Sequence, residues 1–340
     1  MVALTAGEAA RRPRLEDVAS DVGVSPATVS MVLRGVAGPS AATRERVLAA
    51  ASRLGYRPDR AASVLASRRS RLIGVMLDIR NTFHAQLVED VHDAAERHGY
   101  DLVLSTVTRG RDEQQAVETL LDSRCEALML FGSETSAERL AALDRQLPVV
   151  VVGRPVPSAG VDVIRAADDE GVGQAVDHLI GLGHRHIAYV DGGPGEIARL
   201  RSRGFRDAMR RHGLGAGLVV IGGGHTEEAG AAAAQTLLDS DQRPTAAVMF
   251  NDRSAMGLVE TLIRAGLDIP GSISVVGYDD SPLARLAHID LTTVSQNPGQ
   301  LTEHAVAALI ERLDNGRVGH REVVVRPRLV VRRTTGPPPR

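Results

Sequence analysis

With 340 residues the chain is too long for one ordinary hydrophobic core, so two or three domains are expected. One cysteine, no tryptophan and eight Phe or Tyr exclude a disulfide framework, a cysteine-rich zinc site and single-strand binding on stacked aromatics. The net charge of −2 hides an asymmetry: residues 1–71 hold twelve Arg against six acidic residues, a net of +6, and the remainder nets −8.

A basic first fifth on an acidic body points to an N-terminus that meets a polyanion. Its elements read as helices. Leu15–Val22 is a short helix with Glu16 and Asp17 in the first turn, where the dipole favours them. Gly23 supplies the turn, Ser25 an N-cap and Pro26 the first residue of a second helix with Val29, Val32 and Leu33 on its apolar face. A third helix runs from a Ser40 cap to Leu54, stops at Gly55 and is expected to bury Val47, Leu48, Ala51 and Leu54. Two short helices at a glycine turn, braced by a third, make a helix-turn-helix.

From residue 72 β-branched runs alternate with helical stretches. The expected strands are Leu72–Leu77, Asp101–Val107, Ala127–Phe131, Pro148–Val152, His186–Val190, Leu218–Ile221, Ala246–Phe250 and Ser274–Gly277. Helical spacing recurs between them, as at Phe83, Leu87, Val91 and Ala95, which argues for doubly wound parallel sheets in two lobes. Ligands of such sheets bind beyond the carboxyl ends of the strands, which picks out Asp78, Asn251 and Asp279.

Other signals are discounted. His178, His184 and His186 sit around a helix-to-strand turn with no further ligand class, so no metal is expected. Gly192–Gly195 and Gly222–Gly224 lack the Lys-Ser/Thr of a P-loop, and no nucleophile elbow or zinc-protease motif occurs. No enzyme activity and no cofactor are expected. No apolar run has the roughly 18 residues of a membrane helix. The first twenty residues lack a secretory signal, which with the lone Cys125 fits a reducing cytoplasm.

The chain resembles the LacI/GalR family of bacterial transcription regulators. The resemblance is carried by Leu15-Glu16-Asp17-Val18-Ala19, Gly23 to Ser30, Val32-Leu33, Thr43 to Leu48 and Leu54 to Pro58. It continues in Gly181 to Arg185 with Ile187-Ala188, Asn251-Asp252, Ile273 to Asp280 and Leu291 to Val294. It implies an α/β fold in which an N-terminal all-α helix-turn-helix domain (12–58) and a hinge helix with linker (59–71) precede a two-lobed, periplasmic-binding-protein-like domain (72–335). Lobe one would hold about 72–162 and 292–322, and lobe two about 163–291 and 323–335.

The resemblance further implies a ligand-responsive repressor bound as a homodimer to a near-palindromic operator in the nucleoid, with no membrane partner. Ser25, Thr28, Ser30 and Arg34 would contact phosphates or base edges. Pro26, Ala27 and Met31 make the reading surface less polar than in many relatives and favour thymine methyls. Arg14 replaces the usual N-cap Thr of the first helix. Asp59–Ser67 matches the hinge helix, and Leu65 falls at the leucine wedged into the minor groove.

On the same grounds Asn81, Phe83, Arg109, Arg201 and His225 join Asp78, Asn251 and Asp279 around a small polar effector. A sugar or polyol suits these groups, and a nucleobase is the alternative. Asp168 is left out, because Ala167 occupies the aspartate position of the family's Asp-Asn-x-x-Gly pattern. A solute-binding protein is the rival reading; it would need an export signal where this chain has a helix-turn-helix. With no apolar heptads in Arg321–Arg340, a dimer is expected rather than a coiled-coil tetramer.

Overall fold

A computed structural model describes residues 13–33, 35–56, 69–157 and 160–339. The chain divides between Ser70 and Arg71 into two units.

The first unit holds helices α1 (Leu15–Val22), α2 (Pro26–Leu33) and α3 (Ala41–Leu54). Their ends lie where the capping residues place them. Gly23 and Gly55 take the left-handed conformation, with φ of 71° and 66°. Ser25 accepts from the Thr28 N–H at 3.1 Å, and Ser40 accepts from the Thr43 N–H at 3.2 Å. Arg14 has no side-chain acceptor to offer α1. Instead its backbone N–H donates to Asp17 Oδ2 at 2.7 Å, half of a capping box.

The three helices close on Val18, Val29 and Val47, none of which is exposed. Arginines of α3 finish the other two helices. Arg44 donates to the carbonyls of Val32 and Val36, Arg46 to that of Val22, and Arg53 pairs with Asp21. Leu48 corrects the sequence reading: it is 48% exposed. The buried stripe of α3 runs through Val47, Ala50 and Ala51, and Leu48 lies about 100° round the helix from Val47.

The second unit contains twelve described strands in two six-stranded sheets. They are β1 (Leu72–Asp78), β2 (Asp101–Val107), β3 (Ala127–Phe131), β4 (Val149–Val152), β5 (Asp162–Ala166) and β6 (Ile187–Val190). The others are β7 (Val219–Ile221), β8 (Ala246–Met249), β9 (Ser274–Asp279), β10 (Thr292–Ser295), β11 (Glu322–Val325) and β12 (Arg328–Val330). The first sheet has the order β11-β5-β4-β3-β1-β2 and the second β12-β10-β9-β8-β6-β7; only β12 runs antiparallel.

Helices cover both faces of each sheet, as a parallel sheet requires. Around the first they are α4 (Thr82–Arg97), α5 (Glu113–Asp122), α6 (Ala137–Asp144) and α11 (Pro298–Leu313); around the second, α7 (Asp168–Gly181), α8 (Glu196–Arg211), α9 (Glu227–Leu238) and α10 (Asp252–Arg264). α9 and α10 approach so closely that a Cβ on Gly257 would lie 1.9 Å from the Glu227 carbonyl oxygen.

Strand pairing moves the expected lobe boundaries. The chain crosses between sheets after β5, after β10 and after β11, a few residues later than the expected breaks at 162, 291 and 322. β5 and β10 are not among the strands expected from the sequence. Both are poor in apolar signal: β5 contains Asp162 and Arg165, and β10 is Thr-Thr-Val-Ser. Asp162 is tolerated inside because Arg317 donates to it at 2.7 Å and the Arg321 N–H at 2.9 Å.

Candidate functional site

Strands of both sheets end at one cleft. Its cavity, about 240 Å³, is lined by Asp78, Asn81, Phe83, Arg201, His225, Asn251 and Asp279, seven of the eight expected effector residues. Arg109 is the exception. It is exposed in the turn after β2 and is not among the lining residues, because β2 is the edge strand and its turn opens to solvent.

Asp78 closes β1. Burial works against its charge, but Arg80 overrides this, with Nε at 3.0 Å and Nη2 at 2.7 Å, and holds the carboxyl below its usual range. Asn81 caps α4 by accepting the Phe83 N–H at 3.1 Å, and Asn251 caps α10 by accepting the Ser254 N–H at 2.8 Å. Asn251 also donates to the His225 carbonyl at 3.2 Å, which spends its amide on the loop after β7.

Arg201 sits at the centre, 4% exposed. Its Nε donates to Asp168 Oδ1 at 2.7 Å and its Nη1 to the Phe250 carbonyl at 2.7 Å. The guanidinium lies over the Tyr278 ring, 3.6 Å from the centroid, with Asp279 Oδ1 at 3.9 Å from Nη2. Burial works against this charge, and Asp168 and Asp279 overcome it, so the guanidinium titrates above its usual range. Asp279, with a φ of 121°, accepts from Gln296 Nε2 at 2.7 Å. Burial pushes its carboxyl up to about 8 against the pull of Arg201. A strained aspartate at a strand end is a frequent mark of a functional position.

Asp168, which is not among the expected effector residues, is fully enclosed and anchors Arg201. His84, Glu134, Phe131, Phe250 and Gln296 also line the cleft without having been singled out. The strand-end rule could have found Gln296, had β10 been recognised. His84 had no sequence signal beyond lying three residues after Asn81.

The His84 ring has a defined chemistry. Its Nδ1 accepts the Asp78 N–H at 3.2 Å, which places the proton of the neutral ring on Nε2. Burial lowers its pKa to about 4, so it stays neutral. Nε2 lies 3.1 Å from Asn81 Nδ2, and the Asn81 oxygen is already engaged as a cap. Two donors therefore meet at one point of the cleft wall, where an acceptor oxygen from a ligand would satisfy both.

In the first unit Ser25, Pro26 and Ala27 are exposed along the start of α2, while Thr28, Ser30 and Met31 are half-buried. The Ser25 and Thr28 hydroxyls lie 2.9 Å apart within the cap. Met31 turns partly inward: a Cβ at Gly38 would lie 2.8 Å from its Cε. Arg34, Leu65 and the expected hinge helix at 59–67 lie outside the described residues.

Two of the three discounted histidines have side-chain partners. His184 is enclosed, with Nδ1 2.8 Å from Thr245 Oγ1 and Nε2 2.8 Å from the Gly336 carbonyl, and His178 Nε2 lies 3.0 Å from Thr335 Oγ1. Among the described residues there is no metal-holding cluster of His, Cys, Asp or Glu. No described helix is long and apolar enough to cross a membrane.

Residues 14–59 match the family described as bacterial regulatory proteins, lacI family, and residues 176–335 match the periplasmic binding protein-like domain. The transcriptional regulator MalR of Streptomyces coelicolor is 35% identical, over 96% of this chain and 97% of its own. The crystal structure of the Lac repressor dimer bound to operator and the anti-inducer ONPF aligns at 29% identity and a TM-score of 0.82, over 96% of this chain and all of that one. The structure of a CelR–cellobiose complex aligns at 28% identity and a TM-score of 0.70, over 95% of this chain and all of that one. These matches are transcriptional regulators, not enzymes.

Proposed function

The chain belongs to the LacI family of ligand-responsive bacterial transcriptional regulators, and from that premise we propose that it is a cytoplasmic repressor that binds a near-palindromic operator as a homodimer. A sugar or polyol in the interlobe cleft is its effector. Ser25, Pro26, Ala27, Thr28, Ser30, Met31 and Arg34 read or position the DNA, and Leu65 enters the minor groove. Asp78, Asn81, Phe83, Arg201, His225, Asn251 and Asp279 hold the effector, while Arg109 stands at the periphery.

The observation that carries this reading is the lining of the cleft. Acceptor oxygens of Asp78, the carboxyl of Asp279, which keeps a proton at neutral pH, donors from His84 and Asn81, and the aromatic face of Phe83 converge on a cavity of about 240 Å³. Such alternation suits a ligand whose hydroxyls both donate and accept. The Lac repressor bound to operator supports the DNA half of the proposal, and the CelR complex with cellobiose supports the carbohydrate half. Each lobe carries part of the lining, so a ligand that bridges them favours the closed arrangement by its differential affinity.

A panel of sugars, polyols and nucleobases tests the effector. A saturable rise in unfolding temperature with a sugar or polyol is expected, equivalent to about 2.7 kcal/mol at a hundred times Kd. The same compound should change the affinity of the protein for a palindrome near its own gene. Stabilisation by nucleobases alone would replace the carbohydrate reading, and no response to any compound would remove it.

A further inference from the structure

Lobe two carries a second concavity, about 520 Å³, which shares Pro194, Gly195 and Ala198 with the cleft. Arg199, Arg203, Arg206 and Arg210 line it. Their spacing of four, three and four residues puts them in one stripe along α8, about 16 Å from end to end. None serves the core. Arg199, Arg203 and Arg210 have side chains 63%, 49% and 60% exposed.

Their carboxylate partners are Glu196 and Asp207 on α8 itself and Asp169 on α7; Asp169 and Asp207 are exposed and Glu196 is half-buried. Glu196 lies 2.5 Å from Arg199, Asp207 2.8 Å from Arg210 and Asp169 3.4 Å from Arg203. The single-contact pairs of Arg203 and Arg210 are easily exchanged for a better anion, whereas Arg199 is held by both oxygens of Glu196. The Arg206 side chain makes no hydrogen bond or ion pair among the described residues. Asp191, the remaining acid of the lining, is committed to the Gly193 and Gly223 N–H groups at 3.0 and 3.3 Å. At the head of the stripe Gly195 caps α8 without a side chain, but Glu134 already accepts the Glu196 N–H there, so the arginines and not the helix end carry the site.

We propose that this groove is an anion site for a small phosphate ester with more than one negative group. Guanidinium forks match phosphate oxygens bidentately, and the stripe is too long for a single phosphate. A concave groove of this volume fits a small molecule, whereas an acidic protein or a DNA backbone would need a broader face. The site is separate from the effector contacts, since none of its four arginines lines the cleft.

Calorimetric titration of the full chain tests it, with inorganic phosphate, inorganic pyrophosphate and glucose 6-phosphate as probes, and citrate and glucose as controls. Pyrophosphate and glucose 6-phosphate are expected to bind saturably, one per chain, with pyrophosphate at least tenfold tighter than phosphate. Arg203→Gln with Arg206→Gln should weaken both at least tenfold while leaving the unfolding temperature unchanged; Asp279→Asn, in the cleft, should leave both intact. The proposal is overturned if no probe saturates, if citrate binds as tightly as pyrophosphate, or if the arginine variant binds like the parent. Loss of binding in Asp279→Asn alone would assign the anion to the cleft and overturn it equally.

Discussion

Arg201 is enclosed by Asp168, the Phe250 carbonyl and the Tyr278 ring, and removing it strands a carboxylate in the interior. Arg201→Leu is therefore expected to cost about 3–5 kcal/mol, read by urea unfolding. A loss under 1 kcal/mol would mean that Asp168 is not charged there. Asp279 gives a pH signature. Its carboxyl is held up to about 8 in the fold, against an ordinary value near 3.8. The folded chain thus keeps a proton that the unfolded chain loses, and its contribution to stability, complete below about pH 4, falls away as pH rises towards 8. Asp279→Asn should flatten that part of the stability–pH curve. An unchanged slope would place the titration elsewhere.

Among the elements, the contact between α9 and α10 is the most sensitive to added volume. Gly257→Ala should destabilise by about 1–3 kcal/mol, because the new methyl would meet the Glu227 carbonyl. Gly181→Ala, at the end of α7, meets nothing within 4 Å and should be neutral or stabilising by under about 1 kcal/mol. Thermal unfolding of the two variants separates close packing from a general intolerance of side chains. In the first unit Ser25→Ala should cost about 1 kcal/mol through the lost cap of α2. These elements differ in how far they could be read beforehand. α1 to α3 carry their own stop and start residues, so their ends were legible. β5 and β10 were not, because the partners that make Asp162 and the threonines acceptable come from segments distant in sequence. The cleft was legible where a polar residue follows an apolar strand, as at Asp78, Asn251 and Asp279. It was illegible at Asp168 and His84, whose roles depend on Arg201 and on the Asp78 N–H.

At the scale of the whole molecule, the charge of −2 is the sum of a basic first unit and an acidic second one. Three of the basic unit's eleven arginines, Arg44, Arg46 and Arg53, are spent on its own helix ends, which leaves fewer for phosphate than the count implies. A fragment of residues 71–340 should keep its thermal response to the effector and lose all operator binding in an electrophoretic assay. Retained binding would place the DNA contacts outside the first unit. Sedimentation of the full chain tests the proposed homodimer, and a stable tetramer would contradict it.

The third crossing between the sheets has a consequence for genetics. β11 closes an edge of the first sheet and β12 an edge of the second. Just beyond, Thr334 donates to the Val275 carbonyl at 2.7 Å, and the Gly336 carbonyl accepts from Ser274 Oγ at 3.1 Å. A stop codon after Arg321 would strip an edge strand from both lobes at once. Truncations ahead of β11 should therefore inactivate both lobes, and neither lobe can be isolated as a contiguous stretch of gene.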